Sequence, residues 1–139
     1  MKKGLLFMVV LVGLLWAETG YAGDMCWTDG HGTYWKTYVT KQDGMSPYKI
    51  VTGFHYTPGG YVMPVTGTLQ KHPGGTTLRL SLTGTHVYQS SVFDVFFFDA
   101  ELDPTTKSGT MWYLHKTNTE SSADSMSFAK TRCSDLPAY

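Results

Sequence analysis

Two cysteines, five histidines and one aspartate inside an aromatic run are the residues through which this chain of 139 could do chemistry. Cys26 and Cys133 are its whole thiol content. In an oxidising compartment an even pair reads as a disulfide, with a free thiol pair or a two-ligand metal clip as the alternative. His31, His55, His72, His86 and His115 are scattered, with no H-x-H and no C-x-x-C spacing among them. His31, His72 and His86 fall in turn-like segments. If turns alternate between two ends of an eight-strand meander, only His31 and His86 share an end. Two ligands fall short of the three or four that zinc sites use. Neither a metal nor a cofactor is expected. No G-x-S-x-G elbow is present, and Ser90-Ser91 and Ser121-Ser122 sit where serine is commonplace in turns. The expectation is a protein that is not an enzyme.

Asp94 is the charge of most interest. It alternates with Val92, Phe96, Phe98, Ala100 and Leu102, while Asp99 and Glu101 fall on the opposite face. A buried carboxylate is costly unless paired. Asp94 is therefore either a rim residue bonded to a loop or a polar anchor inside a ligand cavity, with Tyr56, Tyr113 or Lys130 as partner. Apolar walls carrying a few polar groups are what ligand cavities show. Trp35, Tyr56, Asp94, Phe96, Phe98, Trp112 and Tyr113 are the candidate ligand-binding residues, and the expected ligand is small and apolar or aromatic. Trp and Tyr exposed on a flat face would instead suit stacking on sugar rings.

The stretch Ser90–Lys116 must position these groups. It reads as a long-armed β-hairpin turning at Asp103-Pro104-Thr105-Thr106, since Val, Phe, Trp and Tyr favour strands and Pro cannot donate to a ladder. Both arms are apolar on both faces, so one face fills a core and the other leaves a large exposed patch. Such patches mark association surfaces. Phe93, Val95 and Phe97, with Met111 or Tyr113, are the candidate homo-oligomer contact. A periplasmic inhibitor or assembly subunit working through loops or this outer face is the main alternative to a ligand binder.

Lys2 and Lys3, the apolar run Gly4–Trp16 and the small residues Gly20 and Ala22 have the layout of a cleaved secretory signal. The run is short for a transmembrane helix, which needs about 20 residues. Asp24-Met25 before Cys26 does not suit lipidation. Residues 1–22 are thus expected to be removed, leaving 23–139 as one periplasmic or secreted domain with no membrane attachment. Losing Lys2, Lys3 and Glu18 takes Lys plus Arg from 11 to 9 and Asp plus Glu from 11 to 10, a net charge near −1. With no basic stripe, a nucleic-acid partner is not expected.

Turn signals recur along the rest: Asp29–Gly32, Lys41–Gly44, Pro58–Gly60, Pro73–Gly75, His86–Gln89, Asp103–Thr106 and Asn118–Ala123. They separate eight alternating segments, the spacing of a sandwich or barrel. The inward sets read as Ile50, Thr52, Phe54 and Tyr56; Met63, Val65 and Leu69; Leu78, Leu80 and Leu82; and Met126 and Phe128. With an even strand count, first and last strands are antiparallel neighbours and bring Cys26 to Cys133. A sandwich with paired terminal strands would do the same, but a closed barrel also removes edge strands. The fold expected is all-β: an up-and-down antiparallel barrel of about eight strands closed by one disulfide.

Gly32-Thr33-Tyr34-Trp35 resembles, one residue out of step, the Gly-x-Trp that opens calycin-type barrels, the lipocalin and avidin group. The size and strand-after-strand layout look more like avidins than lipocalins. The resemblance implies a meander barrel in which a basic residue near the chain's end, here Arg132, packs over Trp35. No residue matches a biotin site.

Overall fold

The computed structural model describes residues 22–39, 48–88 and 92–136. The expected signal, residues 1–22, lies outside them but for Ala22, as does the Lys41–Gly44 turn. Eight strands follow in order: β1 (Ala22–Thr28), β2 (Tyr34–Val39), β3 (Tyr48–Tyr56), β4 (Val62–Lys71), β5 (Leu78–Tyr88), β6 (Val92–Leu102), β7 (Gly109–Lys116) and β8 (Ser121–Thr131). Each pairs antiparallel with the next, and β8 returns to β1, so the sheet closes into a barrel. This is the all-β meander that the turn count predicts. Two boundaries move: β5 runs on to Tyr88, which makes His86 a strand residue, and β8 starts at Ser121 inside the expected last turn.

The β1–β8 seam is short, with Cys26 opposite Thr131, Trp27 opposite Lys130 and Thr28 opposite Ala129. A short 3-10 turn, Cys133–Asp135, follows and brings Cys133 into a disulfide with Cys26, Cα atoms 5.2 Å apart. Successive strand residues face opposite ways. Trp27 points into the barrel and stacks on Phe128, so Cys26 holds the bridge on the outer wall. Trp27 also donates its indole N–H to the carbonyl of Lys107, 2.8 Å away, which ties β1 to the β6–β7 turn. That turn is built by Asp103, whose carboxylate accepts from the backbone N–H groups of Thr105 and Thr106. Those bonds hold the Asp103 carboxyl below its usual range.

The barrel's middle is filled. Trp27, Trp35, Leu80, Leu102, Met111 and Phe128 are all fully buried. The inward sets of β4, β5, β6 and β8 are those expected: Met63, Val65, Leu69; Leu78, Leu80, Leu82; Phe98, Ala100, Leu102; and Phe128, with Met126 and Phe96 packed against them. β3 is the correction. Val51, Gly53 and His55 face inward, whereas Ile50, Thr52 and Phe54 are exposed and Tyr56 lies on the outer wall. Cross-strand partners share a face. Trp35, which is inside, stands opposite His55 and so carries His55 inside.

Candidate functional site

The β1–β2, β3–β4, β5–β6 and β7–β8 connections lie at one end of the barrel. Apart from Met63, which stands opposite His55, the inward residues described below near that end are polar or aromatic. Asp94 on β6 stands across the ladder from His86 on β5, and its Oδ1 lies 3.2 Å from Nε2 of His115 on β7. The His115 ring stacks flat on Phe96, centroids 4.2 Å apart. Phe96 stacks in turn on Phe98, at 5.7 Å. His55 contacts both phenylalanines, at 5.8 and 5.0 Å, and stacks on Trp35 at 4.9 Å. A continuous set of rings thus runs from the rim pair Asp94–His115 to Trp35 in the packed middle.

Three observations give this end its chemistry. Phe96, Tyr113 and His115 point inward but are only half-buried. His55, 4% exposed, has no hydrogen-bond partner at Nδ1, and the buried Trp35 has none at Nε1. Burial lowers the His55 imidazole to about 4, with Asp29 of the first turn opposing weakly, so the ring is neutral at physiological pH. A buried polar atom left unpartnered costs about 1–3 kcal/mol and calls for an explanation.

Of the candidate ligand residues, Trp35, Asp94, Phe96, Phe98 and Tyr113 meet on this inner wall. Tyr56 and Trp112 do not: both lie outside, because β3 and β7 place His55 and Tyr113 inside. Asp94 finds neither Tyr56, Tyr113 nor Lys130 among its partners; it is a rim residue bonded to a neighbouring strand. His55 and His115 were not legible as site residues. For His115 the signal was its alternation with Met111 and Tyr113, obscured because β7 is apolar on both faces. Arg132 is exposed, and the rings that pack Trp35 are His55, Phe98 and Phe128. Among the described residues no group of three or more His, Cys, Asp or Glu is placed to hold a metal ion.

The outer wall carries a second feature. Phe93 (39% exposed), Phe97 (48%), Trp112 (48%) and Leu114 (42%) lie on the outer face of β6 and β7. Val95 shares that face but is half-buried. Met111 and Tyr113 are inside, so Trp112 and Leu114 take the place expected of them in the outer patch. A shallow groove of about 560 Å³ runs across the patch, lined by Arg79, Ser81, Phe97, Asp99, Trp112 and Leu114 among others. Asp99 accepts from Arg79 Nε at 2.9 Å and Nη2 at 2.6 Å, and from Ser81 Oγ at 2.8 Å. The Arg79 bonds hold the Asp99 carboxyl below its usual range.

The disulfide is compatible with an oxidising, exported compartment. No family model, no curated protein and no solved structure matches this chain.

Proposed function

We propose that the protein is an exported, non-enzymatic association module whose outer β6–β7 face pairs with a second copy of itself. The observation that carries this is the outer patch: four large apolar side chains, each more than a third exposed, on two neighbouring strands. A side-chain-filled barrel agrees with it, since the work then falls to the outer wall. A two-fold interface must be its own complement. The patch suits that condition, because it holds an apolar centre with charges of both signs at its edge, the Arg79–Asp99 pair together with Glu101 and Lys116. Sedimentation of protein spanning 23–139 at tens of micromolar tests this. A dimer that Phe97→Asp converts to a monomer supports it; a wild-type monomer, or a dimer indifferent to Phe97→Asp, overturns it.

A second reading has its own observation. The unpartnered nitrogens of His55 and Trp35 support a small ligand held at the His115 end of the barrel, within the calycin-like architecture that the strand order suggests. The two readings use different walls and are compatible.

A further inference from the structure

At the end of the barrel away from His115 we infer a binding site for a phosphate group, built on Lys130 and Arg132. The site is independent of both readings above. It uses neither the outer β6–β7 face nor the nitrogens of His55 and Trp35.

The β6–β7 turn and the end of β8 meet there around a shallow recess of about 400 Å³, lined by Thr106, Lys130, Thr131, Arg132 and Asp135. Its backbone frame is tied from three sides. Ser108 Oγ accepts from the Lys130 backbone N–H at 2.9 Å, which joins β8 to the turn. The Trp27 indole bond to the Lys107 carbonyl joins β1 to the same turn. The disulfide at Cys133 fixes the chain directly after Arg132, and the Asp135 backbone N–H donates back to the Arg132 carbonyl at 3.0 Å. The backbone that carries the two cations is thus set before any ligand arrives, and less freedom is lost on binding.

The charges of the recess call for an anion. Lys130 and Arg132 are exposed, and among the described residues neither side chain has an ion-pair partner. One carboxylate, Asp135, opposes them, and it already accepts from the Ser134 hydroxyl at 3.2 Å. The donors differ in kind. Arg132 offers a planar fork, Lys130 a point charge and Thr131 a hydroxyl. The Thr106 hydroxyl is taken up within its own turn, where it bonds the Asp103 carboxylate and accepts from the Ser108 N–H. A carboxylate presents two oxygens in one plane, which the Arg132 fork alone can occupy. A phosphate keeps further oxygens for Lys130 and Thr131. The same chemistry serves free phosphate and the phosphate of an anionic lipid headgroup.

The test is a nuclear magnetic resonance titration of protein spanning 23–139 with inorganic phosphate and with acetate, beside co-sedimentation with phosphatidylglycerol vesicles. Phosphate is expected to shift the Thr131, Arg132 and Asp135 amides along one saturable curve, with a Kd on the order of 1 mM, as suits a site exposed to water. Added sodium chloride weakens it, because exposed charges are screened. Lys130→Gln and Arg132→Gln each weaken phosphate at least about fivefold while circular dichroism stays native. Arg132→Lys, which keeps the charge and loses the fork, weakens it less than Arg132→Gln. Asp135→Asn tightens it by about twofold, since a repelling carboxylate is gone. Phe97→Asp leaves it unchanged. Co-sedimentation that Arg132→Gln abolishes, without saturation by free phosphate, also supports the site and assigns its phosphate to a lipid headgroup. Acetate binding as tightly as phosphate overturns the ligand class. Shifts that never saturate, or that ignore both glutamine variants, overturn the site, as does the absence of both phosphate and vesicle binding. None of these outcomes touches self-association or the His115 end.

Discussion

Trp35 and His55 stack 4.9 Å apart inside the barrel, and each leaves a nitrogen without a protein partner. This pairing makes stability depend on pH with a definite sign. His55 titrates near 6.5 in the unfolded chain and at about 4 in the folded one, because burial penalises its charged form. As pH falls from 6.5 towards 4, the unfolded chain takes up a proton that the folded chain refuses. Full stability is therefore present above 6.5 and is lost on acidification, by roughly 3 kcal/mol at most. Urea unfolding at steps between pH 7 and 4 is expected to show this slope, and His55→Phe to remove that share of it. An identical slope in the variant would mean that His55 is not the group responsible.

The disulfide sits where the barrel is weakest. β1 and β8 pair over three residues at each side, while β5 and β6 pair from Leu78 with Leu102 to Tyr88 with Val92. The bridge spans 107 positions in sequence. The chain-entropy view assigns about 4.7 kcal/mol to a loop of ~100 residues. Replacing Cys26 and Cys133 together by serine is expected to lower unfolding free energy by about that amount. Amide exchange is expected to rise first along Cys26–Thr28 and Ala129–Thr131, with the β5–β6 ladder last. Uniform loss of protection across all eight strands would show that the bridge does not guard that seam.

How far the sequence carried is clearest at β3. Strand number follows from the turn signals, the disulfide from the even cysteine pair, closure from the even strand count, and the inward faces of β4, β5 and β8 from alternation; in β6 the acidic Asp99 and Glu101 mark the outer face. β3 carries bulky residues on the face that turns out to be outer: Ile50, Phe54 and Tyr56. Its direction depends on register, not composition. A two-residue turn at Asp43-Gly44 would set Trp35 against Thr52; the observed ladder sets it against His55. A slip of one residue exchanges the two faces of a strand, and here it exchanges Phe54 for His55. The same ambiguity hid the direction of β7, where Met111, Trp112, Tyr113 and Leu114 offer two apolar faces. Two of the site's histidines were invisible for these reasons, whereas Asp94 and Phe96 were legible because Asp99 and Glu101 mark the other face of their strand.

At Gly53 the β2 backbone leaves no room for a side chain on β3. Gly53 faces Thr37 across the ladder, and a Cβ there would meet the Lys36 carbonyl oxygen and the Thr37 Cα, both backbone atoms. Backbone cannot swing aside as a side chain can, so Gly53→Ala must push the strands apart. The expected cost is about 1–3 kcal/mol, as for other overpacked cores. Gly23, whose Cβ would meet nothing within 4 Å, serves as the control and should accept alanine without loss. Thermal unfolding of the two variants side by side measures the contrast, and equal midpoints would contradict the close approach.

Met111 and Trp112 are neighbours in β7 with opposite fates: Met111 is fully buried and Trp112 is 48% exposed. A charge at each position reads out the strand's two faces separately. Met111→Asp places an unpaired carboxylate among Ala100, Met126 and the core rings, a class of change that belongs to the most destabilising known. It is expected to cost about 4 kcal/mol or more and to leave little folded protein. Trp112→Asp sits on the outer wall beside Asp99, its cross-strand partner. There it is expected to change stability by no more than about 1 kcal/mol, chiefly through like-charge repulsion across the ladder, and to abolish the dimer. Circular dichroism followed by sedimentation of both variants decides the matter. Were Trp112→Asp to unfold the barrel and Met111→Asp to spare it, the inner and outer walls assigned to β7, and with them the association face, would be reversed.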